Sequence, residues 1–280
     1  MLSLLERTIS GVDRRLLLLA PPDTSLPPTL RAIHDPLGHR QFVRELQRLR
    51  GRVYLADGAL KPEQLLNDGR HHSPEDQHSW HLLMLGADGR PHGCISFRNH
   101  VGAVGLEQLR VRGCPLARDE EWRDGLRQAV EAEIALARRE RLHYAEVGGW
   151  ALSEECRRTP DGIVLALAVF AFGRLLGGAL GITTATVRHC SSTILRRLGG
   201  VPLRVNGAPI PVYHDPHYRC EMELLRFDSR RPHARYAEAI DLLFAQLHQV
   251  TVLASPAAPT GALPLRASYE SNSRGAIAAA

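Results

Sequence analysis

The sequence predicts a mixed α/β (α+β) domain in which a central, mixed and twisted sheet is flanked by helices. Short β-branched runs such as residues 182–187 alternate with amphipathic stretches such as residues 119–139. Hairpin turn signals stand at residues 87–90 and at Asn206-Gly207, each between two apolar runs. Strands that alternate with helices around such hairpins indicate a single domain of this class.

The elements are predicted in chain order from apolar periodicity and from the residues that begin or end a helix. Helix 119–139 begins at Asp119, a capping residue, and turns one apolar face inward. Helix 160–176 begins with Thr159 as its cap and Pro160 as its first residue. The full series is helix 41–49, strands 80–85 and 94–97, helix 119–139, strand 144–152, helix 160–176, strand 182–187, helix 191–198, hairpin strands 201–205 and 210–213, strand 219–227 and helix 233–249.

Three regions differ in composition. Residues 1–40 are rich in proline, arginine and leucine without sustained periodicity, and we expect a partly ordered N-terminal extension. Residues 41–253 contain the predicted elements and form the working domain, which is long enough to bury a core of its own. Residues 254–280 are rich in serine, proline and alanine and are expected to be a disordered tail.

Lysine usage disfavours several enzyme classes. Lys61 is the only lysine among 35 basic residues, and it lies in the sequence Gly-Ala-Leu-Lys-Pro. Phosphate-loop NTPases, kinases and pyridoxal-phosphate enzymes each require a lysine in a defined setting. The patterns G-x-G-x-x-G, G-x-S-x-G, H-E-x-x-H and C-x-x-C do not occur. Dinucleotide binding, α/β-hydrolase chemistry and simple zinc sites are therefore disfavoured as well.

Charge and hydropathy limit the partners and the cellular location that the sequence allows. The net charge of +5 and the pI of about 9.2 come from arginines that are scattered through the chain. Because no basic stripe accompanies a recognition motif, we expect no nucleic-acid partner, whereas a mildly basic face suits an acidic protein. No apolar run reaches the ~18–20 residues of a membrane span, and no signal peptide is recognisable. We therefore expect a cytoplasmic protein without a membrane span, with five free cysteines.

Residues 144–188 carry the clearest functional pattern, which reads strand, loop, apolar helix, strand. The N–H groups of the first helical turn have no partner within the helix, and Gly162 leaves space for a ligand beside them. Arg157 and Arg158 stand just before this turn, so the positive helix end and two guanidinium groups together suit a phosphate. Asp161 opposes this interpretation, and the alternative is a plainly capped helix with solvated arginines.

The same segment resembles the GNAT acyltransferase superfamily, in which such a turn holds the phosphates of a pantetheine-bearing acyl donor. The turn here, residues 158–162, is one residue longer than the GNAT pattern and lacks its second glycine, and Leu195 replaces the usual thiol-protonating tyrosine. A closer resemblance is to the N-acyl amino acid synthases of the long-chain N-acyltyrosine-synthase type and to the related acyl-homoserine-lactone autoinducer synthases. It runs over about residues 53–252 and is carried by the stretches 146–152, 181–200 and 211–229.

The resemblance implies a GNAT-like acyltransferase domain that transfers a long-chain fatty acyl group from an acyl carrier protein thioester to the amino group of an amino acid or related amine. The donor would carry 4'-phosphopantetheine, on the carrier protein or on coenzyme A, and the protein would bind no cofactor and no metal. The residues expected to bind the donor are Trp150, Ala151, Leu152, Arg157, Arg158, Gly162 and Ile163, with Leu167 and Phe170 beside the acyl chain and Tyr213, His214, Asp215 and Tyr218 on the acceptor side. Arg157, Arg158, Arg196 and Arg197 would help to dock the acidic carrier.

Glu146 is the candidate general base. An α-amino group has a pKa near 8, so most of it is protonated at neutral pH and a base must remove that proton. Glu146 lies at the centre of the strand that leads to the phosphate turn, and a glutamate in this strand is a feature of the autoinducer synthases. Such base assistance is typically worth about 10²–10⁴ in rate. The alternative role is a charge paired across the sheet, and backbone N–H groups near residues 150–152 are candidates for stabilising the oxyanion.

Other interpretations stay open at the level of the sequence. A GNAT-like module that binds an acyl chain or a carrier without turnover is compatible with the missing tyrosine, and an autoinducer-type synthase would use S-adenosylmethionine. Cys190, next to His189, is the candidate for prior acylation in a ping-pong route. The histidines at positions 71, 72, 78 and 81 cluster with acidic residues, but spacing this loose is more typical of a solvated loop than of a metal site.

Overall fold

The computed structural model of the protein describes residues 5, 9, 15–22, 24–100 and 104–255. They form a mixed ten-stranded sheet, helices that cover both of its faces, and a separate two-stranded hairpin. The predicted fold class, a mixed α/β domain with a central sheet flanked by helices, is confirmed. Among these residues, no helix combines the length and the hydropathy needed to cross a membrane.

The helices and strands have the following bounds. The strands are β1 (Arg15–Leu19), β2 (Arg31–His34), β3 (Trp80–Leu85), β4 (Pro91–His100), β5 (His143–Leu152), β6 (Ala179–Thr186), β7 (Val201–Pro202), β8 (Arg204–Val205), β9 (Ala208–Pro209), β10 (Tyr213–Asp215), β11 (Cys220–Asp228) and β12 (Thr251–Ala254). The helices are α1 (Pro36–Ala56), α2 (Arg123–Arg139), α3 (Asp161–Leu175), α4 (Ser191–Leu198) and α5 (Ala237–Leu247).

The order of the strands in the large sheet is β10-β11-β6-β5-β4-β3-β1-β12-β2, with β7 paired to β11. β5 runs parallel to β6, and β12 runs parallel to both β1 and β2, whereas the other neighbours are antiparallel. Both predicted hairpins form: β3 pairs with β4, and β8 pairs with β9 across Asn206-Gly207. The sheet is therefore mixed, with its one central parallel pair at β5 and β6.

One face of the sheet is covered by α3 and α5. α3 is apolar on all sides, and every residue from Val164 to Gly173 is buried. The ring centroid of Phe172 lies 5.1 Å from that of Trp80 and 5.3 Å from that of Phe97. α5 packs against α3 within the same apolar cluster. This helix pair closes the main core, because its side chains fill the space above β3, β4 and β5.

The opposite face is covered by α1 and α2, which lie over different strands. α1 packs on β1, β3 and β4 through Leu46 and Leu49. α2 packs on β5, β6 and β11 through Leu126 and Val130, together with the irregular turns of residues 104–117. Because the side chains of a strand alternate between faces, neighbouring residues of β3, β4 and β5 contribute to both cores.

The described part of the N-terminal segment contributes two strands to the sheet, and the domain boundary predicted between residues 40 and 41 stays a prediction. β1 pairs with β3, β2 pairs with β12, and α1 already begins at Pro36, where Asp35 Oδ1 accepts the N–H of Gly38 at 2.9 Å. The prolines of this region do break helices, but they stand between β1 and β2. A short leucine-rich strand shows too little periodicity to be recognised without its neighbours. The predicted tail overlaps the end of β12, and residues 256–280 lie outside the described residues.

Candidate active site

The two parallel strands at the centre of the sheet part halfway along their length. β5 and β6 pair from His143 opposite Ala179 to Val147 opposite Thr183. Beyond Val147, β5 continues to Leu152 beside β4, and within the described ranges no further pairing joins it to β6. A gap results at the carboxyl ends of both strands, which is where ligands commonly bind in open α/β sheets.

A β-bulge between β4 and β5 accompanies the parting of the strands. The register shifts between Cys94 and Ser96, and Gly149 adopts a φ of 62°, which residues with a side chain rarely do. The Ser96 hydroxyl donates to the carbonyl of Gly148 at 2.8 Å, and the Cys94 thiol donates to that of Gly149 at 3.4 Å. These bonds fix the bulge at the point where β5 leaves β6.

Partly buried apolar side chains surround the gap. They are Val147, Trp150 and Leu152 of β5, Ile163 of α3, and Ile194 and Leu195 of α4. Each packs against the main core and keeps part of its surface accessible. The indole Nε1 of Trp150 is buried and has no hydrogen-bond partner among the residues that the structure describes. The gap therefore offers apolar contact surface and one unused N–H donor.

A small polar cavity of about 20 Å³, which is open to solvent, lies on the face that carries α1 and α2. Its lining comprises Arg50 and Tyr54 of α1, His71, Ser73, Glu75, Asp76 and Ser79 of the segment before β3, Ser96 of β4, Arg110, Gly149 of β5, and Tyr218. Ser96 and Gly149 belong to the bulge as well. The cavity therefore reaches the point at which the two strands part.

A buried ion pair stands at one side of the cavity. Arg50 Nη2 lies 2.5 Å from Asp76 Oδ2, and each side chain is only 4% exposed. Asp76 also accepts hydrogen bonds from the Gln47 amide at 2.9 Å and from the backbone N–H of Ser73 at 3.2 Å. Burial raises the pKa of Asp76, but the charge and hydrogen bond of Arg50 outweigh it and lower the pKa to about 2. The pair ties α1 to the segment before β3.

Two further charged side chains, Arg110 and Glu75, line the cavity and can form additional hydrogen bonds. Within the part of the chain that the structure describes, the Arg110 guanidinium makes no ion pair and no hydrogen bond. Glu75 accepts a hydrogen bond from the Ser73 hydroxyl through Oε2. Burial raises the pKa of Glu75, whereas the Ser73 bond and the Arg110 charge lower it, and the net shift is downward. The cavity thus presents a free cation and an ionised carboxylate.

Glu146 is buried beside the cavity and does not line it. The residue is 6% exposed, and its Oε1 accepts the backbone N–H of Arg110 at 2.7 Å and that of Val111 at 3.4 Å. Oε2 lies 3.0 Å from His100 Nε2 and 4.0 Å from Arg98 Nη1. These contacts anchor the turn that carries Arg110 next to β5. The strand predicted around Glu146 is confirmed, and its role as a base stays a prediction.

Aromatic rings form a further side of the cavity. The ring of Tyr54 makes edge contacts with those of His71 and Tyr218, with centroids 5.4 Å and 6.5 Å apart. Burial is the main cause that raises the pKa of Tyr54, so its hydroxyl stays protonated and available as a donor. The rings give the cavity a planar wall opposite its charged groups.

At the start of α3, Gly162 packs against Leu152 of β5, and the expectation that a ligand binds beside this glycine stays a prediction. A Cβ at Gly162 would lie 2.6 Å from Leu152 Cδ1. Thr159 Oγ1 accepts the N–H of Asp161 at 3.2 Å, and Asp161 is itself buried. The glycine is required by the packing of Leu152, a cause that spacing in the sequence cannot distinguish from the close approach of a ligand.

The other residues expected to bind the donor lie in three different places, which are the gap, the core and the surface. Trp150 and Ile163 flank the gap, and their role in donor binding stays a prediction. Ala151 is buried against α1 and faces away from the main core. Arg157 and Arg158 are exposed on the turn before α3.

The two residues expected beside the acyl chain lie inside the packed core. Leu167 is fully buried and Phe170 almost so, and the Phe170 ring lies 5.9 Å from that of Phe227. Neither lines the cavity. An apolar helix has the same sequence signature whether it walls a slot or fills a core, and here it fills the core.

The residues expected on the acceptor side lie in different surroundings, and their role stays a prediction. Tyr218 lines the cavity, whereas Tyr213 is buried in the core under α2. His214 is exposed, with its Nδ1 3.2 Å from Glu221 Oε1. β10 and β11 pair around residues 213–222, so the turn between them, not β10 itself, reaches the cavity.

Several cavity residues are not anticipated by the sequence analysis. Arg50 and Tyr54 are four residues apart and therefore share one face of α1, a spacing that the sequence does contain. Ser96 and Arg110 carry no comparable signal, because only the bulge and the turns of residues 104–117 bring them together. The predicted absence of a metal site is not tested, although no group of three or more histidine, cysteine or acidic residues in the described ranges is placed to hold a metal ion.

We expect the stability of the protein to fall as the pH drops from about 6.5 towards 4. Burial is the largest cause that lowers the pKa of both His71 and His81 to about 4, below the ordinary 6.5. Below pH 6.5 the unfolded chain binds protons that the folded state does not, so unfolding is favoured. Thermal unfolding between pH 7.5 and 4.5 measures the slope, which His71→Phe should reduce and His72→Phe, at an exposed position, should leave unchanged. An equal slope in all three proteins would contradict this explanation.

No protein-family model matches the sequence, and no curated protein matches it either. Solved structures are similar to it. The structure of FeeM, an N-acyl amino acid synthase from uncultured soil microbes, is 15% identical, with 78% of this chain and 92% of that chain covered and a TM-score of 0.45.

Two further similar structures are acyl-homoserine lactone synthases. BjaI, a CoA-dependent synthase solved with SAM and isopentyl-CoA, is 16% identical over 82% of this chain and 94% of its own, with a TM-score of 0.46. The AHL synthase LasI is 14% identical over 78% of this chain and 91% of its own, with a TM-score of 0.47. The structures to which this chain is similar thus include one N-acyl amino acid synthase and two acyl-homoserine lactone synthases.

Proposed function

We propose that the protein is an N-acyltransferase that moves a fatty acyl group from a thioester donor to the amino group of a small zwitterionic acceptor. The observation that carries this proposal is that the apolar gap between β5 and β6 and the polar cavity meet at Gly149. A thioester in the gap and an amine in the cavity would approach each other at this one point. Holding two reactants in such proximity is what amide formation requires.

The donor occupies the gap in this proposal. Its partly buried apolar side chains suit an acyl chain and a pantetheine arm, and each methylene removed from water contributes about 0.8 kcal/mol. The Nε1–H of Trp150 has no partner among the described residues, and in this proposal it donates to an amide carbonyl of the arm. The apolar character of the whole rim supports a long-chain donor over an acetyl donor.

We propose acyl carrier protein as the partner that delivers the donor. Arg158 stands on the turn before α3, and Arg196 and Arg197 lie on α4, so exposed guanidinium groups flank the gap on both sides. Carrier proteins are acidic, and complementary charge raises the rate of encounter. The small-molecule acceptor would reach the cavity independently, from the opposite face of the sheet.

The charged groups of the cavity are complementary to those of an α-amino acid. Arg110 offers a free guanidinium, whose planar fork matches a carboxylate through two parallel hydrogen bonds. Glu75 offers an ionised carboxylate for the ammonium group. The rings of Tyr54 and Tyr218 provide a planar wall for the side chain.

The reaction follows from this placement. The ammonium loses one proton to solvent through Glu75, and the resulting amine attacks the thioester carbonyl carbon to form the C–N bond. The nitrogen then loses its second proton to Glu75, and the C–S bond breaks to release the thiol. The proton on Glu75 returns to the departing sulfur or to solvent. Backbone N–H groups of β5 beyond Val147, on the side without a strand partner, are the candidate donors to the oxyanion.

Glu146 has a positioning role in this proposal. Both of its oxygens already accept hydrogen bonds, and the two from Arg110 and Val111 fix the turn that presents the Arg110 guanidinium. The role of general base, which the sequence analysis gives to Glu146, is therefore assigned in this proposal to Glu75, a carboxylate that lines the cavity. The two assignments make opposite predictions, which are compared in the Discussion.

The test of the function is direct product detection. Purified protein is incubated with a long-chain acyl carrier protein and each amino acid in turn, and mass spectrometry searches for the N-acyl product. Formation of an amide supports the proposal, and its dependence on the carrier or on coenzyme A identifies the donor. Carrier binding without product from any acceptor would contradict catalysis and favour a binding module, and a lactone formed from S-adenosylmethionine would indicate an autoinducer-type synthase.

Replacing Arg110 with glutamine should raise the KM for the acceptor by about 10–100-fold and change kcat little, because a hydrogen-bonded charge contact is worth about 1.5–3 kcal/mol. Steady-state kinetics over acceptor concentration measures this effect. Arg112→Gln, an exposed position in the same turn, is the matched control. An amine that lacks the carboxylate should be used equally by both proteins, and an unchanged KM for the amino acid in Arg110→Gln would refute the assignment.

A further inference from the structure

Two arginines that follow the parted strands meet at one acidic residue. Arg157 comes after β5 and Arg188 comes after β6, so they stand on opposite sides of the gap. Arg157 Nη2 donates to Asp57 Oδ1 at 2.8 Å, and Arg188 Nη2 donates to the backbone carbonyl of Asp57 at 2.8 Å. Asp57 is the residue just after α1, so these two contacts connect the end of α1 to the segments that follow both parted strands.

We propose that Arg157 and Arg188 form a phosphate clamp at the mouth of the gap. The phosphate that joins the pantetheine arm to the rest of the donor displaces the Asp57 carboxylate from Arg157 and bridges both guanidinium groups. This inference rests on the proposed function, because it places the phosphate of the same thioester donor. It assigns that phosphate to the mouth of the gap and not to the start of α3.

The start of α3, the alternative position for the phosphate, has part of its bonding capacity already used. The Thr159 hydroxyl oxygen accepts the N–H of Asp161, and Leu152 packs against Gly162. Arg157 and Arg188 follow the ends of the parted strands, and both guanidinium groups already contact Asp57.

The Asp57 carboxylate, which now contacts Arg157, can be replaced by a phosphate. The Arg157 side chain is 40% exposed and that of Asp57 is 17% exposed, so their pair is partly screened by water and contributes little to stability. A guanidinium binds phosphate oxygens in the same bidentate manner as a carboxylate, and a phosphate can engage two guanidinium groups at once. Asp57 keeps the two arginines preorganised and neutralises one of them while the gap is empty.

Two donors carry the same chemistry at this place. A carrier protein presents a phosphodiester between pantetheine and a serine, and coenzyme A presents a pyrophosphate. The clamp recognises the phosphate on the pantetheine in either case. Turnover with matched acyl chains on the carrier and on coenzyme A separates the two sources, since the true donor should have the higher kcat/KM in the wild type, and turnover of either donor should lose efficiency when Arg188 is replaced.

The test measures binding without turnover. S-octyl pantetheine and its 4'-phosphate, two thioethers that cannot transfer an acyl group, are titrated into the full-length protein by calorimetry. The wild type should bind the phosphorylated compound at least tenfold more tightly than the other. Arg157→Gln and Arg188→Gln should each remove most of this preference, and Asp57→Asn should increase it severalfold because the competing carboxylate is lost.

Arg118→Gln is the control for removing one positive charge, because Arg118 is exposed in the segment before α2 and makes no contact with Asp57 among the described residues. Its preference for the phosphate should equal that of the wild type, and unfolding midpoints should show that all variants fold. Loss of the preference in Arg158→Gln alone would overturn the clamp and return the phosphate to the start of α3. A wild type that forms the amide but binds both thioethers equally would overturn the clamp while leaving the proposed function intact, whereas absence of both amide formation and binding would refute both.

Discussion

Glu75→Gln should lower kcat by about 10²–10⁴-fold while leaving the fold intact, since general-base assistance has this magnitude. The carboxylate lines the cavity beside the unpaired Arg110 and accepts a hydrogen bond from the Ser73 hydroxyl. An amide at this position keeps the shape and the hydrogen-bond acceptor but cannot take a proton. Pre-steady-state and steady-state rates with a saturating acyl donor would measure the loss, and kcat/KM of the wild type should rise with pH towards the acceptor amine's pKa near 8.

Glu146→Gln should behave differently, because we assign Glu146 to the anchoring of the Arg110 turn. Its loss should raise the KM for the acceptor and lower the unfolding midpoint, with kcat kept within about tenfold of the wild type. Glu131→Gln, on the exposed face of α2, is the control for removing one negative charge. If Glu146→Gln instead lost activity with KM and stability unchanged, and Glu75→Gln stayed active, the strand glutamate would be the base.

Asp76→Asn should destabilise the protein by about 3–5 kcal/mol, because it leaves the Arg50 guanidinium buried without a counter-charge. Both side chains are 4% exposed, and the pair connects α1 to the segment that forms one wall of the cavity. The pKa of Asp76, held at about 2, adds stability that is present above about pH 4 and is lost as the pH falls towards 2. Urea unfolding at pH 7 measures the free energy directly.

Two controls separate burial from charge in this experiment. Asp68→Asn removes a carboxylate from ion pairs with Arg48 and Arg70 at the surface and should change stability much less than Asp76→Asn does. The double variant Arg50→Met with Asp76→Leu should be more stable than Asp76→Asn, because no uncompensated charge remains. A single variant as stable as the wild type would show that water reaches Arg50 in the folded protein.

The sequence predicts most elements of the fold because they carry local signals. The parallel strand at residues 144–152, the apolar helix after Pro160 and the hairpin at Asn206-Gly207 all appear within a few residues of their predicted bounds. The N-terminal strands are missed for a physical reason. A strand of five residues is specified by the strands on either side of it, and those neighbours of β1 come from residues 81–85 and 251–254, far along the chain.

The candidate site is predicted less completely than the fold. The parting of β5 and β6 depends on a bulge, and the sequence shows only its two glycines at positions 148 and 149. Gly162 is ambiguous for a different reason. A glycine that is required for packing against Leu152 cannot be distinguished in the sequence from a glycine that is required for the approach of a ligand. Arg50 and Arg110 come from segments 60 residues apart in the sequence, and only the tertiary structure brings their charges to one cavity.

The position of β12 between β1 and β2 has a consequence for synthesis on the ribosome. β2 has no partner until residues 251–254 have emerged, although nearly all other described elements precede them. Contacts between such distant segments form slowly, and unpaired strand edges invite association with other chains in the meantime. A nascent chain that stalls shortly before β12 would therefore hold two open edges at its amino end, and we expect it to depend on chaperones until the last strand closes them.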